Sequence, residues 1–212
     1  MKSLNNWLLV LSVLSCFGCS SPVHEDDRGC AFVSDSIQYR VEFMSAGCVR
    51  ILSFPDTLVT KRLVVDSEKP AFKDYKWEDT GQKLLFRTRE LSVVFDKADA
   101  AFIFQETSTG KLLLKEKGDR KARNFKRSVA GGEQCLEVTQ CFVPTEDEAI
   151  YGLGQYQNGI MNYRGKSVLL LQANMDIVIR SLFRPTDMVS YGIIILLRSL
   201  KIRRRATHLL PK

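Results

Sequence analysis

The sequence predicts an all-β chain folded as an antiparallel β-sandwich. Apolar and polar residues alternate over many short runs, as they do on strands with one buried face. The runs recur about every ten residues with turn signals between them, the rhythm of sandwiches. No long stretch carries a convincing helical period. With 212 residues, 45% of them apolar, the chain can bury a sizeable core and is not of disordered composition. Its 13 glycines and 6 prolines exclude collagen-like and low-complexity classes.

The N-terminus reads as an export signal. Lys2 is followed by an apolar run, Trp7 to Leu14, too short to span a membrane as a mature helix. Small residues and two cysteines follow. The pattern resembles a bacterial lipoprotein signal over residues 1–19, with Cys19, between Gly18 and Ser20, as the preferred lipidated residue and Cys16 as its rival. An ordinary cleaved signal is the alternative. The lipoprotein reading implies an exported protein held by an N-terminal lipid anchor, in the periplasm or at the outer membrane of a Gram-negative bacterium. Residues 20–29 then form a short polar tether.

The body, 30–179, holds the strands. Ser36–Met44 puts Ile37, Tyr39, Val41 and Phe43 on one side. Val49–Phe54, Leu63–Val65, Leu84–Thr88, Leu91–Phe95, Ala101–Glu106 and Lys111–Glu116 follow, parted by turn signals such as Asp79-Thr80-Gly81 and Thr107-Ser108-Thr109-Gly110. Arg87–Phe95 and Ala101–Gln105 are expected to form a hairpin around Lys97–Ala100. Leu136–Val143 is a further strand, ended by Pro144. Cys30, Cys48, Cys135 and Cys141 lack the close pairing of a zinc site. They read as buried small hydrophobes rather than bridges, although an exported chain permits disulfides.

The formal charge of +7 suggests nucleic acid until its location is found. Residues 180–212 contain eight basic residues and one acid, and the remainder 23 of each, so the body is neutral. A nucleic-acid surface would spread its cations over a folded face. No nucleic-acid partner is therefore expected, and the tail 180–212 is expected to be irregular or disordered. The two histidines, His24 and His208, lie outside the body, which excludes a Ser-His-Asp triad or a His-ligated metal there. No metal and no cofactor is expected.

The most specific segment is DEAIYGLGQYQNGIMNYRGKSVLLLQANMDIVI, residues 147–179. Gly152 and Gly154 bracket Leu153 and allow a tight backbone excursion after a strand. Gln155, Gln157, Asn158, Asn162 and Asn174 offer neutral hydrogen bonds of the kind that suit sugar hydroxyls, and Tyr151, Tyr156 and Tyr163 could stack on sugar rings. The same amides and glycines could equally serve only to shape a loop.

This segment resembles the end of the N-terminal β-sandwich of glycoside hydrolase family 31. The pattern is carried by Glu148, by Tyr151-Gly152-Leu153-Gly154-Gln155, by Met161-Asn162-Tyr163-Arg164-Gly165 and by Asn174. Cys48-Val49-Arg50-Ile51 and the pair Leu84–Phe95, through Thr88, Leu91 and Val93, resemble earlier strands of the same domain. The resemblance covers about residues 30–179 and implies a galactose-mutarotase-like sandwich. After Ile179 it stops. Written in permitted codons, Ile179 to Leu196 becomes I-PFFISTDGYGILWDNYS when one cytosine is inserted after the Ile179 codon, and that string resembles the family's continuation. The expectation is a frameshift near Ile179, with 180–212 out of frame.

The resemblance implies a retaining α-glycosidase of α-xylosidase or α-glucosidase type, acting on α-linked oligosaccharides. Such enzymes need paired carboxylates about 5–5.5 Å apart, and in this family both are aspartates on a barrel that follows the sandwich. No catalytic residue is therefore expected in this chain. Neither Glu146-Asp147-Glu148 nor Asp66, Asp96 and Asp176 is assigned the role. Gln155, Asn158, Asn162 and Arg164 are the candidates for a loop lent to the substrate site, while Tyr151, Gly152, Gly154, Gly165 and Asn174 carry the structural motif. Two other functions stay open: a lipid-anchored carbohydrate-binding module, and a lipoprotein whose basic tail binds anionic partners. No protein partner is assignable.

Overall fold

The structure, a computed structural model, describes residues 23–55, 71–121, 123–130, 133–144, 148–170, 175–184, 188–191 and 200–201. Among these there are strands, turns and loops but no helix, as the all-β reading expects. One antiparallel sheet runs in sequence order through β1 (His24–Asp26), β2 (Gly29–Ser34), β3 (Ile37–Ser45) and β4 (Cys48–Phe54). A second does the same through β5 (Lys76–Asp79), β6 (Lys83–Arg87), β7 (Leu91–Asp96), β8 (Ala101–Glu106) and β9 (Leu112–Lys115). Both are meanders, which need only short turns.

The two sheets share one core. Phe32, Tyr39, Val41 and Phe43 of the first pack with Leu84, Phe86, Val93, Phe95, Phe102 and Phe104 of the second. Phe95 sits at the centre, its ring 4.8 Å from Phe32, 5.0 Å from Tyr39 and 4.9 Å from Phe102. These separations suit tilted aromatic pairs. The alternation in β3 puts Tyr39, Val41 and Phe43 inward. The opposite face of that strand is buried too, so its charges are paired. Arg40 forks onto Asp26 at 2.8 and 2.6 Å, and Glu42 accepts from Arg50 at 3.2 Å. Thr88 ties the sheets together by donating to the Ala46 carbonyl.

The hairpin β7–β8 turns at Lys97–Ala100 as expected. Asp96 Oδ1 accepts from the Ala98 and Asp99 amides at 3.0 and 3.3 Å. A second hairpin, β10 (Arg123–Ala130) with β11 (Glu133–Gln140), attaches through the segment after it: the Val143 amide donates to Lys115 at 2.8 Å and the Lys117 amide to Cys141 at 3.0 Å. A smaller sheet holds β12 (Tyr151–Gln155), β14 (Ile177–Arg184) and β15 (Met188–Tyr191), and β13 (Leu169–Leu170) pairs with β16 (Leu200–Lys201).

Several expectations shift. The segment read as tether is structured from its end inward, because His24–Asp26 pairs with Gly29–Ala31 and Asp26 is held by Arg40. Part of the segment read as irregular tail is strand: β14 runs on through Arg184 and β15 pairs with it. The ladder bonds of β14 and β15 join backbone groups that residues on both sides of Ile179 carry alike. The last predicted strand lies a few residues early, at Glu133–Gln140. Cys30, Cys48 and Cys141 are free thiols, but of these three only Cys30 is buried; Cys48 is exposed at the start of β4. Burial pushes the Cys30 thiol up to about 11. Residues 1–22, with Cys16 and Cys19, and the strand expected at Leu63–Val65 lie outside the described residues.

Candidate functional site

The glycine-bracketed segment builds the site. Gly152, Leu153 and Gly154 have φ of 103°, 68° and 113°, three successive residues on the positive side. Register against β14 shifts there, from Gly152 opposite Leu182 to Gly154 opposite Val178. A Cβ on Gly154 would lie 1.9 Å from the Ile177 carbonyl oxygen, and one on Gly152 2.4 Å from that of Ser181. Both close approaches require glycine. The excursion turns Leu153 into a small core with Tyr163 and Leu170, lined by Ile150, Tyr156, Val178 and Leu182.

The loop after β12 is braced from within. Asn162 Oδ1 accepts from the Ile150 and Arg164 amides, each at 3.0 Å. The Tyr163 amide donates to the Ile150 carbonyl at 2.8 Å. Arg164 Nη1 donates to the Glu148 carbonyl at 2.8 Å, and Gly165 takes a φ of 71° at the following turn. Asn158 accepts from the Ile160 amide at 3.0 Å. Gln155 ends β12, exposed. The four loop candidates thus divide. Asn162 and Arg164 hold the loop's shape, while Gln155 and Asn158 stand at its exposed rim with Gln157. Tyr151 is exposed opposite Phe183 on β14, whereas Tyr163 is buried. The Tyr156 hydroxyl is buried without a hydrogen-bond partner. Asn174 lies outside the described residues.

Besides Glu42, two acids are buried deeply among the described residues. Glu148 accepts from Arg184 Nε, and Arg184 Nη1 donates to the Leu113 carbonyl at 2.6 Å, so this arginine reaches both the small sheet and the sandwich. Burial holds the Arg184 guanidinium below its usual pKa. Sequence reading missed this contact because Arg184 was counted with the basic tail; the available signal was an acid heading an apolar strand, which needs a cation if it is buried. Glu116 accepts from the Phe102 amide at 2.8 Å, from Gln140 at 2.7 Å and from Arg123, and burial raises its pKa. Asp96 is spent on its turn and on Lys83 at 3.5 Å. Each of these carboxylates is committed to structure.

No protein-family model matches the chain. Among curated proteins it is 30% identical over 159 residues to an α-xylosidase of Saccharolobus solfataricus, covering 67% of this chain and 20% of that protein. Among solved structures, a family 31 α-xylosidase from Xanthomonas citri superposes with a TM-score of 0.65 at 26% identity, over 77% of this chain and 18% of that one. A family 31 α-xylosidase from a soil metagenome, complexed with xylose, gives 0.62 at 21% identity, over 78% and 27%. The cycloalternan-forming enzyme of Listeria monocytogenes, in complex with a pentasaccharide substrate, gives 0.60 at 17%, over 79% and 16%, a likeness of fold alone. The chain spans about a fifth of the curated relative it matches. By sequence and fold it is similar to the N-terminal domain of glycoside hydrolase family 31.

Proposed function

We propose that this polypeptide is the N-terminal domain of an exported retaining α-glycosidase, of α-xylosidase or α-glucosidase type, and that it is inactive alone. The observation that carries the reading is the bulge at Gly152-Leu153-Gly154 with the Asn162 and Arg164 braces behind it, since the residues that resemble the family motif are the ones the local geometry requires. Retaining hydrolysis needs two carboxylates facing one sugar across about 5–5.5 Å. The described buried acids serve arginines and amides, and in this reading the catalytic pair lies in sequence beyond this domain. In this reading the loop 155–164 presents Gln155 and Asn158 to an α-linked oligosaccharide, Cys19 carries the lipid anchor, and the residues after Ile179 are out of frame.

Turnover of aryl α-xylosides and α-glucosides by the mass-verified 212-residue chain tests the claim. None is expected, and sustained hydrolysis would overturn it. Restoring one cytosine after codon 179 and extending the gene in that frame is expected to yield an active enzyme.

A second reading, a lipid-anchored carbohydrate-binding module, is supported by one feature. Tyr151 and Phe183 are exposed side by side across two strands, as a stacking platform would be. Sugar binding by the isolated chain that is lost in Tyr151→Ala would favour it.

A further inference from the structure

A cleft of about 440 Å³ opens where the β2–β3 turn, the β7–β8 turn and the start of β10 meet. Asp35, Ser36, Ala100 and Arg120 line it, with φ of 50°, 63°, 50° and 57°. Asp119, next to Arg120, has 62°. Among the described non-glycine residues with positive φ, only Leu153 and Met175 lie elsewhere. Positive φ at both Asp35 and Ser36 is what the two-residue β2–β3 hairpin requires, so these residues mark where the turns converge on the cleft.

A second observation is independent of the backbone. Arg123 also lines the cleft, its side chain only 5% exposed. Its Nη2 donates to Glu116, and its guanidinium lies 5.4 Å from the Tyr39 ring centroid and 5.1 Å from that of Phe102. Its Nη1 is buried without a hydrogen-bond partner. Buried donors are nearly always satisfied, so this nitrogen is open to a further acceptor.

The charge balance says what kind. Arg123 is neutralised by Glu116, and Arg120 donates to Asp35 across the mouth. A charged ligand would upset two balanced pairs, whereas a neutral one would not. Hydroxyl groups accept and donate at once, so adjacent hydroxyls can accept from the guanidinium and donate to the Asp35 carboxylate. Ile37 and Ala100 supply apolar surface for a C–H face. The volume falls within the range of about 300–1,000 Å³ common for small-molecule sites.

We propose that this cleft is a subsite for a neutral saccharide unit, separate from the 155–164 loop. It does not rest on the catalytic reading of that loop. The test is a titration of the full 212-residue chain with xylose, glucose and maltose, followed by backbone amide chemical shifts. Saturable shifts at Ser36, Ala100 and Arg120 are expected. Asp35→Asn and Arg120→Gln, both at the exposed mouth, are expected to weaken binding by about tenfold without lowering Tm. Asn158→Ala is expected to leave the shifts at Ser36, Ala100 and Arg120 intact whatever it does at the loop, which separates this site from the loop. If the chain self-associates, the form carrying Ile177→Thr and Phe183→Ser is titrated instead. No saturable shift with any of the three sugars overturns the proposal. So does binding that the two mouth variants leave intact, or a response to inorganic phosphate or acetate in place of sugars, which would make the cleft an anion site.

Discussion

In the sandwich, Phe86, Phe95 and Phe102 keep no exposed surface, and the charges behind β3 are paired with one another. In the small sheet around β12, Ile177, Ile179 and Phe183 each leave nearly half of their surface exposed. Among the described residues, its own core has Leu153, Tyr163 and Leu170 as buried members. The two regions therefore draw order from different sources. Aromatic burial organises the first. Backbone conformation and polar braces organise the second: the positive φ values of Gly152 to Gly154, the Asn162 and Arg164 bonds, and the Glu148–Arg184 pair. One region buries an aromatic core of its own, and the other leaves Ile177, Ile179 and Phe183 turned outward.

The contrast can be broken most forcefully in the sandwich. Phe102→Ala is expected to cost about 3–5 kcal/mol of stability by urea unfolding. A loss of under about 1 kcal/mol would mean that the aromatic cluster is not what holds the chain. Gly154→Ala forces a Cβ against the Ile177 carbonyl and is expected to cost about 1–3 kcal/mol, confined to the small sheet. Hydrogen exchange should accelerate at Gly152–Gln155 and Ile177–Arg184 while Leu91–Glu106 stays protected; acceleration in both would merge the two regions into one cooperative unit.

A smaller effect is expected at Asp26. The Arg40 fork lowers its pKa from the ordinary 3.8 to about 2. A carboxylate depressed on folding adds stability above its unfolded pKa, and that stability is lost as pH falls through the folded one. The contribution, on the order of 1 kcal/mol after solvent screening, should thus disappear between about pH 4 and pH 2. Asp26→Asn should be less stable than the parent at pH 6 and nearly equal to it at pH 2; a constant difference would remove the ion pair from the account. The smallest change in stability, within about 0.5 kcal/mol, is expected for Ile177→Thr with Phe183→Ser. Sedimentation should nonetheless show less self-association, because an exposed apolar patch shrinks. A large fall in stability would show that those side chains already pack on something.

The sandwich was legible because its strands alternate. Tyr39, Val41 and Phe43 declare an inward face by spacing alone, and Phe102 and Phe104 do the same in β8. Strands β5 and β10 were not legible: Lys76-Trp77-Glu78-Asp79 is mostly charged, and Arg123–Ala130 gains order from its pairing with β11 rather than from a hydrophobic period. In the small sheet the glycines were legible as a motif and the reason for them was not, since the carbonyls of Ile177 and Ser181 that exclude a Cβ come from a distant strand. Asn162 read as a sugar ligand from its chemistry and Arg164 as a loop candidate from the family resemblance, yet much of their hydrogen bonding goes to the loop's own backbone. Residue chemistry cannot say which way an amide faces.

The first strand is held by more than its ladder bonds. Trp77 Nε1 and the Tyr75 hydroxyl each donate to the Glu25 carboxylate at 2.8 Å, and those bonds lower its pKa. The chain has two tryptophans, Trp7 and Trp77, and cleavage before Cys19 would leave Trp77 alone. Its indole emission would then be an optical gauge of β1. Fluorescence would redden when the N-terminal strand peels away, before the phenylalanine core, which is silent at that wavelength, has begun to open.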